Sequence, residues 1–274
     1  MRSVAFGPRL VATPTGHLRA ALVVRPSQRI ERATPLPGEP GAVYTWALEQ
    51  HSVLCKTLEY FGVEIVAVEP RGDDPYETSA GDVAIAFEDG AALMRLSSLA
   101  RRAEVDRMEA EFARIDVPLA GHISAPGLLD GNDVLLAGRT AFVGTGPRGN
   151  EVGRSGFAQL ASAHGYRVVE VKLTGNAPLR AVAGAVAEDT IVVGEGRADL
   201  EAFTGFRTVV IEADEAQAAG VFVLSERHVI ADMRYRTALS AMRRAGIHVE
   251  AIDLYEFGKL GMTPSMLTLV LRRD

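Results

Sequence analysis

The chain repeats a unit of β-hairpin, helix and strand, and its first and last strands are each left without a hairpin partner. Short apolar runs broken by tight turn signals predict hairpins turning at Asp89-Gly90, Gly138-Arg139, Glu188-Asp189 and Glu226, about 40–50 residues apart. Strands are also predicted over residues 19–24 and 266–271. If those two pair, they complete a fifth hairpin and close a ring, which removes the exposed edges that an open array would present. The expected fold class is therefore α/β, with five pseudo-symmetric ββαβ modules around a central axis and residues 1–274 forming one domain. A doubly wound sheet would show single strands alternating with helices, and it fits this pattern worse.

Apolar residues at helical spacing predict helices over residues 43–61, 98–115, 151–164 and 235–245, with a shorter one over 198–203. A hairpin is predicted over 181–193. Residues 25–41 carry Pro26, Pro35, Pro37 and Pro40 and read as a loop, either a lid over a pocket or a plain connection. With 35 acidic against 29 basic residues and a formal charge of −6, the chain lacks the basic balance of a nucleic-acid binder. No apolar run reaches the ~20 residues needed to span a bilayer, and the N-terminus has no signal-like apolar core, so a cytoplasmic protein with no membrane partner is expected. Cys55 is the only cysteine, which excludes an intramolecular disulfide and a cysteine metal cluster. It reads as a packing residue beside the stripe of its helix. No metal site and no cofactor are expected.

Residues 125–150 draw the chemistry together: Asp130 and Asp133 precede one hairpin strand, and Arg148 follows the other. Charges at strand ends along one rim are how a rigid scaffold presents a binding site. The segments APGLLDGNDVLLAG and FVGTGPRGN, with ETSAGDVA, MRLSSLARRAE, EADEAQAAGVFVL and LYEFGKLGMTPSMLTLVL, resemble the dimethylarginine dimethylaminohydrolases. Through them the chain is similar to the guanidino-group-modifying pentein superfamily, which includes the amidinotransferases. That resemblance implies the pentein β/α-propeller fold. It also implies carboxylates for a guanidinium, arginines for an amino-acid carboxylate, a cysteine nucleophile and a histidine acid and base.

By this resemblance Asp82, Asp130 and Asp133 are the acidic residues, with Asp130 where a glutamate is usual, and Arg95 and Arg148 are the carboxylate clamp. The nucleophile position falls on Met266, whose thioether has no proton to lose. Its neighbour is Ser265. The histidine position falls on Pro178, with Arg180 two residues on, and none of the six histidines falls at a matching place; His122 is the candidate stand-in, from its closeness in sequence to Asp130. Gly81 and Gly220 stand where an acid and an asparagine are usual. The leading expectation is a non-catalytic or catalytically impaired binder of a small guanidino or amino-acid ligand, a pseudoenzyme. The alternatives are an active hydrolase of linear amidine C–N bonds or an amidinotransferase with a substituted nucleophile, and a structural or partner-binding pentein, such as a homodimer. Translation anti-association factors resemble this fold without catalysis, but the acidic balance gives no support for ribosome binding.

Overall fold

The computed structural model describes residues 9–72 and 74–274. Residues 1–8, the start of the N-terminal segment that lacks a signal-like core, lie outside the described residues.

Strand β1 (Leu18–Val24) leads through helix α1 (Tyr44–Tyr60) to β2 (Glu64–Val68). The second module is β3 (Ala84–Ala86), β4 (Ala91–Leu93), α2 (Arg102–Arg114) and β5 (Leu119–His122). The third is β6 (Val134–Ala137), β7 (Thr140–Gly144), α3 (Glu151–Ala163) and β8 (Arg167–Val171). The fourth opens with a short helix α4 (Leu179–Val182) before β9 (Ala183–Ala187), β10 (Thr190–Gly194) and β11 (Arg207–Ile211), and a 3-10 turn over Leu200–Phe203 replaces its long helix. The fifth is β12 (Phe222–Ser225), β13 (His228–Asp232), α5 (Arg236–Arg244) and β14 (His248–Ile252). After α6 (Tyr255–Gly258), the last strand β15 (Thr268–Arg273) pairs antiparallel with β1, from Leu18 opposite Arg273 to Val23 opposite Thr268. The expected fifth hairpin is thus assembled from the two ends of the chain.

Each module is one three-stranded sheet, an antiparallel hairpin whose second strand pairs in parallel with the third. The long helix lets the chain cross over, since parallel neighbours cannot be joined by a tight turn. Gly138 takes a φ of +49° at its hairpin turn, a conformation glycine adopts without strain. Apolar side chains fill the wedges between successive modules. Phe87, Phe157 and Tyr166 pack between the second and third, and Phe142 and Phe203 between the third and fourth. Asn150 fixes the start of α3: its Oδ1 accepts from Gly153 N–H at 2.8 Å and from Leu128 N–H at 2.9 Å, satisfying a helix donor that would otherwise be unpaired.

Several boundaries differ from expectation. The hairpin predicted over 181–193 gives up its start to α4, where Pro178 precedes a helical turn, the position at which a fixed φ is tolerated. The last strand begins at Thr268 rather than at Met266. The predicted helix over 98–115 is confined to Arg102–Arg114. Segment 25–41, read as a lid or a plain connection, is tied down along its length. Leu36 N–H donates to Lys259 O at 2.7 Å, Lys259 Nζ donates to Gly41 O at 3.3 Å, and Tyr76 Oη donates to Thr34 O at 3.3 Å.

Candidate functional site

The first hairpin strand of each module, β3, β6, β9, β12 and β15, lines a cavity of about 100 Å³ on the axis. Because these five strands are equivalent, the residues just before them gather at one end of the axis. Those residues are Gly81-Asp82, Asn132-Asp133, Arg180, Gly220 and Ser265-Met266. The entry turns touch around the ring. Gly81 N–H donates to Met266 O at 2.9 Å, and Ser265 N–H donates to Gly220 O at 3.3 Å. Leu179 N–H donates to Asp133 Oδ1 at 3.0 Å, which supplies the helix-start acceptor that Pro178 cannot. Topology alone therefore brings together residues from five separate stretches of sequence.

Asp82 is buried and held by the chain itself. Arg101 Nη1 donates to its Oδ2 at 2.6 Å, and Asn132 Nδ2 donates to its Oδ1 at 2.7 Å. Burial alone would lift this carboxyl, but the Arg101 and Arg148 charges outweigh burial and hold it below the usual carboxylate range. Arg101 is in turn gripped by Glu104 through Nε at 2.9 Å and Nη2 at 2.8 Å. Asp130 accepts from Ser97 N–H at 2.7 Å and from Ser97 Oγ at 3.1 Å. Burial, and then the charge of Asp82, push its pKa up to about 6. Burial pushes Asp133 further, to about 7, against the Leu179 N–H bond and the charge of Arg148.

Arg180 crosses the ring. Its Nη2 donates to Ser265 O, and burial, opposed by Asp82, lowers its pKa to about 10. A Cβ on Gly81 would lie 2.8 Å from Arg180 Nη1 and 2.5 Å from Asn132 Oδ1, so the space above Gly81 is taken by these two side chains. Gly220 is hemmed in likewise, by Thr263 Oγ1 at 2.5 Å from the same hypothetical atom.

Three polar valences of this ring are left open. Among the described residues, Asn132 Oδ1 and Asp133 Oδ2 are buried without a hydrogen-bond partner. Arg148, half-buried, faces Asp82, Asp130 and Asp133 electrostatically, and among the described residues it makes no hydrogen bond or ion pair. A buried acceptor without a donor costs about 1–3 kcal/mol. The ring is thus suited to a molecule that donates hydrogen bonds at one end and carries an anionic group at the other.

Of the residues picked from sequence, Asp82, Asp130, Asp133, Arg148, Pro178, Ser265 and Met266 belong to this ring. Arg95 does not: its Nη1 donates to Gly127 O at 3.1 Å, and it lines a separate groove with His122. The arginine that reaches Asp82 is Arg101, from the start of α2. Its signal was the spacing Arg101-x-x-Glu104, which places an ion pair on one helix face. Ser265 Oγ donates to Arg180 O at 2.7 Å, and among the described residues no histidine reaches it.

No family model matches the chain. It is 29% identical over 255 residues to the N(G),N(G)-dimethylarginine dimethylaminohydrolase of Streptomyces coelicolor, spanning 93% of this chain and 97% of that one. It is 24% identical over 226 residues to the protein of the same name from Pseudomonas aeruginosa, spanning 82% and 89%. The solved structure of the Pseudomonas aeruginosa enzyme complexed with citrulline superposes with a TM-score of 0.84 at 20% identity, covering 92% of this chain and 99% of that one. An amidinotransferase from Microseira wollei superposes at 0.79 and 13% identity, covering 98% of both. The five-module fold is that of these proteins. No helix among the described residues is long and apolar enough to cross a membrane.

Proposed function

We propose that this chain, which belongs to the pentein superfamily, binds an arginine-like amino acid at the axial ring and does not cleave it. The observation that carries this reading is the set of open valences: among the described residues Arg148 makes no hydrogen bond or ion pair, and Asn132 Oδ1 and Asp133 Oδ2 are buried without donors. A guanidinium or amide head supplies N–H donors to the two acceptors, and an α-carboxylate matches the planar fork of Arg148. The relatives lend support, since one neighbour was solved with citrulline, which has that bifunctional shape. The non-catalytic half of the reading rests on Met266, which has no ionisable proton, and on Ser265, whose hydroxyl is spent on a backbone carbonyl. A second reading, a scaffold that binds no small molecule here, is favoured by one observation: Asp82 already holds the chain's own Arg101 guanidinium.

Thermal or chemical unfolding with arginine, N-methylarginine, citrulline and agmatine separates the two readings. A ligand at 100 times its Kd stabilises by about 2.7 kcal/mol. Arginine or citrulline is expected to stabilise the chain, agmatine, which lacks the carboxylate, far less, and Arg148→Ala is expected to remove the difference. No stabilisation by any of the four would leave the scaffold reading standing. Citrulline or amine released from arginine or N-methylarginine would overturn the non-catalytic half.

A further inference from the structure

On the outer part of the fifth module, away from the axial ring, three side chains converge. Strands β13 and β14 run parallel with His228 opposite His248 and Ile230 opposite Glu250. Alternation along β14 puts His248 and Glu250 on one face, and the register puts His228 beside them. His228 Nε2 lies 2.9 Å and His248 Nε2 lies 3.0 Å from the same oxygen, Glu250 Oε1. The two imidazole rings are 4.6 Å apart at 69°, and one ligand atom from each of the three residues lies within 4.8 Å of the others. The face is not that of the module's own helix. Val229 and Val249 point to α5, whereas the ring of Phe61, just after α1, meets His228 edge-on at 4.9 Å.

We propose that His228, His248 and Glu250 form a binding site for a divalent transition-metal cation, zinc being the best match. Two imidazoles are borderline donors that select such ions over calcium or magnesium, and two histidines with one carboxylate are a ligand set that zinc accepts. At zinc bond lengths of ~2.0–2.1 Å, tetrahedral ligand atoms stand about 3.3 Å apart. The two nitrogen–oxygen separations are already close to that edge, so the site closes through side-chain rotation with the strands unmoved. Phe61 holds the His228 ring against one side, and the exposed His248, 71% accessible, leaves the fourth position open to water. Because Phe61 belongs to the first module, a bound ion fastens the last sheet to the end of α1. His248 and Glu250 are two residues apart on one strand, but His228 is 20 residues earlier and becomes their neighbour only through the parallel register.

Titration of metal-stripped chain with zinc chloride, followed by calorimetry and by thermal unfolding, tests the site. One equivalent is expected to bind and to raise the unfolding temperature. His248→Gln and Glu250→Gln, both at accessible positions, are each expected to weaken binding at least ~10-fold. Cys55→Ser is the control, because Cys55 Sγ lies 3.7 Å from His51 Nδ1 and is another donor pair. Failure to bind zinc at 100 times the protein concentration, undiminished binding in both glutamine variants, or loss of binding in Cys55→Ser would overturn the proposal.

Discussion

Asp133 is buried with one oxygen bonded to Leu179 N–H and the other facing no donor among the described residues. Its proton is retained to about 7, against 3.8 for an ordinary aspartate. Between those values the folded state binds more protons than the unfolded one, so stability falls as pH rises through the window. The effect is of order a few kcal/mol. Asp133→Asn keeps the acceptor for Leu179 and removes the ionisation. It is expected to match the unsubstituted chain near pH 3, below the ordinary aspartate value, and to exceed it by a growing margin from pH 5 to pH 8, as measured by urea denaturation. Equal slopes of stability against pH in the two proteins would contradict the burial assignment. Much of this ring was legible in sequence, because Asp82, Asp130 and Asp133 stand immediately before short apolar strands. What was illegible was which long side chain reaches which acid. Arg95, Arg101 and Arg102 lie within eight residues, and only the entry angle of α2 sends Arg101, rather than Arg95, to Asp82. The filling of the space above Gly81 by Asn132 and Arg180 joins three modules and leaves no local pattern.

Among the elements, the hairpins and long helices were readable from two-residue turns and helical periodicity. The connections were not, because their conformation depends on what they are tied to. Segment 25–41 reads as a proline-rich loop, either a lid or a plain connection, and α6 with Lys259 anchors its end. Glu256 is fully buried and accepts from Val43 N–H at 2.6 Å, ahead of α1. Lys259 Nζ holds both oxygens of Glu256 at 2.7 and 2.8 Å and also donates to Gly41 O. Val43 has no side chain able to cap α1; Glu31 Oε1 accepts the first helical N–H, that of Tyr44, at 3.0 Å, and Glu256, 213 residues away, holds the cap residue Val43 itself. Lys259→Met removes the cation and strands the Glu256 charge. Breaking a buried pair from one side costs about 3–5 kcal/mol, and a loss of that size is expected in chemical denaturation. Hydrogen exchange should also rise first over residues 34–50. A loss under ~1 kcal/mol would mean that water reaches Glu256 and that the loop is less firmly held.

At the scale of the molecule, the five modules are stable because each buries its apolar wedge against the next, and the ring has no end only if β15 reaches β1. That pairing is extensive: besides the strand register, His17 N–H donates to Asp274 O at 2.6 Å, and Arg19 Nε lies 2.9 Å from Asp274 Oδ2. Beyond sealing the edge of β1, β15 supplies Leu269 and Leu271 to the wedge between the first and second modules. It also supplies Arg273, whose guanidinium donates to Gly16 O and Val223 O at 2.7 Å each and lines the axial cavity. Deleting residues 268–274 therefore removes one fifth of the axial wall and exposes β1 as an edge, the feature that templates aggregation. The truncated chain is expected to lose its cooperative thermal transition and to associate, as read by circular dichroism and size-exclusion chromatography. A chain opened instead at the Gly138-Arg139 turn, with residue 274 joined to residue 9 by a flexible linker, keeps all five sheets. It is expected to unfold cooperatively as a monomolecular ring of the same size. Cooperative unfolding of the truncated chain near the original temperature would show that the modules do not depend on closure, and that the pairing of the chain ends is incidental to the fold.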